Sequence, residues 1–84
     1  MQTIYVYFMK NEPDRIRTVG PRHASYWRSA AMPGYQGGPF ADRTGGLIRF
    51  ECGSSQEASE RVAGDPFVVE GLIERSWLKE WLPE

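Results

Sequence analysis

The sequence holds one histidine, His23, and one cysteine, Cys52. Histidine is the side chain whose ordinary pKa lies closest to neutrality, so His23 is the natural candidate for moving a proton near pH 7. It stands four residues before Trp27, and the two share a face if the segment is helical. Pro21 suits the first position of such a helix. Ala24, Trp27 and Ala31 recur at helical spacing, and Pro33-Gly34 would end the run. Near the start of a helix the backbone dipole disfavours an imidazolium, whereas a neighbouring carboxylate would favour one. A histidine on a helix face can also be inert, bonded to backbone or to water. Asp65, placed before Pro66, has the form of a helix N-cap, a contribution of about 1 kcal/mol. Nothing in the spacing brings Asp65 to His23.

Other chemistry has little support. The chain lacks a glycine-rich phosphate loop ending in Lys-Ser or Lys-Thr, and it lacks a Gly-x-Ser-x-Gly nucleophile elbow. One His and one Cys cannot build a conventional zinc cluster, so no metal is expected. Cys52 has no basic side chain immediately beside it and reads as a small buried residue. Tyr5, Tyr7, Trp27, Phe40, Phe50, Phe67 and Trp77 could line an aromatic pocket or fill a core. Arg17, Arg22 and Arg28 could hold an anion or be merely solvated.

The elements that must position these residues follow from pattern. Gln2–Met9 is rich in β-branched and aromatic residues, with Ile4, Val6 and Phe8 on one face and Tyr5, Tyr7 and Met9 on the other. A strand apolar on both faces must be covered on both. Asn11-Glu12-Pro13-Asp14 predicts a turn. Tyr35 to Asp42, with Gly37-Gly38-Pro39, predicts a short irregular strand and a turn. Gly45 to Cys52 predicts a clearer strand, with Ile48, Phe50 and Cys52 on one side and Leu47, Arg49 and Glu51 on the other. Ser54 and Glu57 form a capping box that starts a second helix, and Gly64 ends it. Asp65-Pro66-Phe67 opens a further short helix. Gly71 releases the chain into a last strand over Leu72–Leu78.

The order is βαββαβ. It predicts an α+β fold of ferredoxin-like type, one antiparallel sheet with two helices on one face. Residues 1–84 are expected to form one domain. A chain this short buries only about 60–65% of the surface it exposes when unfolded. The face carrying Tyr5 and Tyr7 is expected to lie open, and a second copy packed against it would cover it. Lys and Arg total 10 against 11 Asp and Glu, which argues against a domain built for the phosphate backbone. One cysteine allows no internal disulfide. No apolar run approaches the ~18 residues of a membrane span, and the N-terminus lacks the pattern of a signal peptide. Cytoplasm is the expected compartment.

Several of these segments together resemble the YCII family of small dimeric α/β-barrel proteins. They are Gly20-Pro21-Arg22-His23, Gly37-Gly38-Pro39-Phe40, the strand Gly46–Glu51, Ser54-Ser55-Gln56-Glu57-Ala58, Gly64-Asp65-Pro66-Phe67 and Gly71. The resemblance covers essentially the whole chain. It implies a His–Asp dyad that falls on His23 and Asp65. One activity of the family is dehydrochlorination of a chlorinated hydroxyhydroquinone, and related dimeric barrels include muconolactone isomerase. By that likeness Asp65 would orient His23, and His23 would take a proton from a substrate hydroxyl. Tyr7, Trp27, Phe40 and Phe67 would flank the ring, and backbone N–H groups near Gly38 would meet an oxyanion. No metal or organic cofactor is implied, and the expected partners are a small molecule and a second copy of the chain.

Two other readings stay open. A catalytically silent module of the same family could bind a metabolite or a protein. An RNA-recognition domain shares the element order, and Thr3-Ile4-Tyr5-Val6 looks like its first motif. Over Arg43–Phe50, however, Gly45 and Leu47 replace the two aromatics on which bases stack.

Overall fold

Alternation of bulky side chains draws Gln2–Met9 into strand β1, the spine of the sheet. In a computed structural model describing residues 1–84, it is followed by α1 (Pro13–Ala30), β2 (Gln36–Pro39), β3 (Gly45–Glu51), α2 (Ser55–Ala63), α3 (Pro66–Val69) and β4 (Ile73–Glu80). The strands lie in the order β2-β3-β1-β4, every neighbouring pair antiparallel. This is the ferredoxin-like arrangement, with α3 as a short addition before the last strand. No helix is long and apolar enough to cross a membrane.

Register decides what is buried. Ile48, Tyr5 and Leu78 align across β3, β1 and β4, and Phe50 pairs with Thr3. These residues share the face under the helices, where Tyr5, Ile48, Phe50 and Trp27 are fully buried. Tyr5 stacks on Tyr7 with ring centroids 5.2 Å apart, and Trp27 lies 5.4 Å from Phe50. The helices therefore cover the Tyr5 and Tyr7 face, not the opposite one. Both faces of β1 are apolar, so alternation cannot choose between them; the larger rings fill the gap between sheet and α1. The open face instead aligns Leu47, Val6 and Trp77 in one row, with Leu47 36% and Trp77 45% exposed. Arg75 lies over Phe8 and Trp77 there.

Helix α1 begins eight residues before the expected Pro21, with Pro13 in the first turn and Asp14 beside it. Both prolines satisfy the same N-terminal rule. The helix runs through Pro21 because Gly20 before it has no Cβ to meet the proline ring, and because Pro21 is exposed. The predicted turn at 11–14 is thus the helix entry. Ala31, left-handed at φ 50°, closes α1 ahead of Pro33-Gly34.

The second helix starts where the capping box predicts, with the return bond from Glu57 displaced by one residue from the Ser54 N–H to that of Gly53. Ser54 accepts from the Glu57 N–H at 3.1 Å, and Glu57 Oε2 accepts from the Gly53 N–H at 2.9 Å. At its end Gly64 is not left-handed (φ −87°). Glycine is needed there for space, since a Cβ would press on the Tyr26 hydroxyl, which donates to the Arg61 carbonyl. Gly71, at φ 69°, turns the chain into β4, which runs two residues beyond the expected Leu78.

Candidate active site

Asp65 gathers the site. As N-cap of α3 its Oδ1 accepts from the Phe67 backbone N–H at 2.9 Å. One turn apart on α1, His23 and Trp27 point at the same carboxylate. Trp27 Nε1–H donates to Oδ2 at 2.9 Å, and His23 Nδ1 lies 2.8 and 2.9 Å from Oδ1 and Oδ2. Asp65 is fully buried. A buried carboxylate with three donors is satisfied rather than stranded. The N-cap and the histidine partner are therefore one residue, and the two explanations of Asp65 do not compete.

The pairing dictates the tautomer. A carboxylate can only accept, so Nδ1 carries the proton and the Nε2 lone pair faces outward. There it meets the Tyr7 hydroxyl at 3.2 Å, which donates to it. Gly46 pairs with Tyr7 across the sheet, and a Cβ on it would collide with that hydroxyl. The missing side chain leaves the phenol room to reach His23. Phe67 stacks on the imidazole with centroids 4.2 Å apart and rings 18° from parallel. With α1 starting at Pro13, His23 sits mid-helix and not near its N-terminus. The dipole acts only within the first and last turns, so the expected opposition to an imidazolium does not arise.

His23 keeps 13% of its side chain exposed, and that edge opens into a cavity of about 670 Å³. Of the expected wall residues, Tyr7, Phe67 and Gly38 line it. Trp27 does not, because it stands behind Asp65 with its ring in the core. Phe40 does not either; it packs against Phe8, centroids 5.7 Å apart, on the other side of the sheet. The Phe40 N–H bonds the Gly45 carbonyl, and antiparallel pairs alternate, so the Gly38 N–H faces Leu47 in the ladder. Sequence reasoning missed Tyr35, Ile16 and Arg43, which also line the cavity. It named Arg22, which instead borders a shallow groove with Asp14 and Glu70. Cys52 is buried away from this space, 3.5 Å from Thr3 Oγ1. No group of three or more His, Cys, Asp or Glu side chains could hold a metal ion.

Burial, then the Asp65 charge, then Tyr35, pushes the Tyr7 phenol up to about 12. The same burial and carboxylate raise Tyr5. The fold thus favours neutral phenols. That stabilisation is complete below the ordinary tyrosine pKa of about 10 and is lost as pH rises from there through about 12. In an alkaline titration, tyrosinate absorbance from Tyr5 and Tyr7 is expected to appear together with loss of the helical circular-dichroism signal. Ionisation of all four tyrosines near pH 10 in a folded chain would contradict this.

The sequence profile of the YCII-related domain matches residues 3–82. The chain belongs to the YCII-related family. One solved structure similar to this YCII-related chain is 5-chloro-2-hydroxyhydroquinone dehydrochlorinase (TftG) from Burkholderia phenoliruptrix AC1100, in complex with 2,5-dihydroxybenzoquinone. The likeness has a TM-score of 0.85 at 22% sequence identity and covers 98% of this chain and 94% of that one. At that identity it establishes the fold. No curated protein sequence matches the YCII-related chain.

Proposed function

We propose that this YCII-related protein is a small acid–base enzyme, working without a cofactor on a ring-derived small molecule. The hydrogen-bonded series Asp65–His23–Tyr7, ending at a cavity, carries the reading. Asp65 fixes the imidazole and stabilises its charged form, and His23 Nε2 is the base. The specific reaction we favour is loss of HCl from a chlorinated hydroxyhydroquinone, in keeping with the name of the structural neighbour.

The steps balance without an external oxidant. His23 takes a ring hydroxyl proton, the O–H pair becomes a carbonyl, and the carbon bearing chlorine is protonated. A second hydroxyl then loses its proton as chloride departs with its bonding electrons. The product is the hydroxyquinone, one HCl poorer. Incubation with 5-chloro-2-hydroxyhydroquinone should release one chloride for each hydroxyquinone formed, at rates proportional to enzyme. Release no faster than in buffer would defeat this assignment.

Tyr7 occupies Nε2 at rest, so a substrate hydroxyl either replaces it or passes its proton through it. Tyr7→Phe removes a hydrogen bond worth about 0.5–1.5 kcal/mol, and kcat is expected to fall by up to about tenfold. Steady-state kinetics on the folded variant checks this; an unchanged kcat would leave Tyr7 as a wall only.

A second copy is the proposed cover for the open face, where the row Leu47, Val6 and Trp77 is apolar. Sedimentation is expected to give about twice the 9.6 kDa chain mass, and Trp77→Glu to give the monomer. The RNA reading finds less support, because Tyr5, on which its first motif would stack a base, lies buried under α1.

A further inference from the structure

The charge around the cavity is one-sided. No Asp or Glu side chain lines it, while Arg17, Arg28 and Arg43 do. Asp65, which holds His23, is fully buried and already accepts from three donors. Arg17 is paired with Asp14 on its own helix. Arg28 has only the Ala24 carbonyl, at 3.4 Å, and neither Arg28 nor Arg43 pairs with any acid. Arg43 also adopts φ 65°, a left-handed backbone that residues other than glycine rarely take. The turn holding it is well tied: the Arg43 N–H bonds the Phe40 carbonyl at 2.9 Å, and Asp42 accepts from Thr44 N–H and Oγ1. Arg28 lines the cavity from α1 and Arg43 lines it from the β2–β3 turn.

We propose that the site takes its ligand as an anion, with a negatively charged oxygen held by Arg28 and Arg43 and the ring laid in the cavity against the wall formed by Phe67, Tyr7 and His23. Planar guanidinium forks suit carboxylates and ionised ring oxygens alike. The proposal rests on the reading above only for the choice of a ring compound. Arg28 and Arg43 then decide which ring compounds enter, and His23 decides what happens to them.

Equilibrium binding tests this without any turnover, because none of the probes carries chlorine. Calorimetry would compare 2,5-dihydroxybenzoate, 2-hydroxy-1,4-benzoquinone (an ionised ring oxygen at neutral pH) and uncharged hydroquinone. At least one anion is expected to bind about tenfold or more tighter than hydroquinone, and the preferred one identifies the source of the charge. Arg28→Gln and Arg43→Asn together should shrink that preference below about threefold without weakening hydroquinone, and added salt should shrink it too. Asparagine is chosen because it tolerates the left-handed backbone. Unchanged melting of the variant shows that it folds. Equal affinity for all three probes, no measurable binding of either anion, or a preference that survives in the double variant would overturn the proposal. A protein that releases no chloride yet prefers anions would lose the dehydrochlorinase assignment and keep this one.

Discussion

Asp65→Asn is expected to lower turnover by about 10⁴-fold, the loss that follows the same exchange in a Ser-His-Asp triad. The carboxylate meets three donors, Phe67 N–H, Trp27 Nε1–H and His23 Nδ1–H. An asparagine has one oxygen to accept and an amide group that can only donate. If that group faces His23, the imidazole must move its proton to Nε2, and its lone pair turns away from the cavity. The base is then present but reversed. The fold should survive, because asparagine caps a helix about as well as aspartate. One donor left unpaired costs about 1–3 kcal/mol, which a urea titration would measure. A turnover close to wild type in a folded Asp65→Asn protein would end the dyad.

The second large effect is expected from His23→Ala, a loss of about 10²–10⁴-fold in kcat, the usual contribution of a positioned general base. Stability should change less than after loss of the carboxylate, since Asp65 keeps Trp27 and Phe67 as donors. Removal of the ring leaves a slot beside Phe67, which stacks on it, and beside the Tyr7 hydroxyl. Added imidazole is expected to enter that slot and restore part of the rate, an outcome that a merely structural histidine would not produce. The double variant His23→Ala, Asp65→Asn should be no slower than the worse single variant, because the two residues act as one unit. Additive losses would mean that Asp65 serves turnover by some route other than the histidine.

Local patterns carried well into the structure and long-range ones did not. The shared face of His23 and Trp27 follows from helical spacing, and the Ser54 and Glu57 box from residue chemistry alone. The element order predicted the sheet. Which face of β1 the helices cover could not be derived, because Ile4, Val6 and Phe8 are as apolar as the tyrosine side. The helix starts earlier than expected because Pro13 and Pro21 obey the same rule, and Gly20 lets the second stay inside the helix. The family likeness puts Phe40 beside the ring, whereas its side is set by the pairing of β2 with β3. No local pattern marks Arg43 as a cavity residue, because its position depends on the turn joining β2 and β3. The bond from Tyr7 to His23 depends on both the strand face and the helix register, so neither segment discloses it alone.

The triple bonding at Asp65 also makes the protein its own sensor. The Phe67 amide and the Trp27 indole each donate to a carboxylate that His23 also uses. Of the three tryptophans, only Trp27 is wired to that group. Its indole proton resonance should shift when His23 gains or loses charge, so the protonation state can be followed by NMR in the resting protein, before any substrate is known.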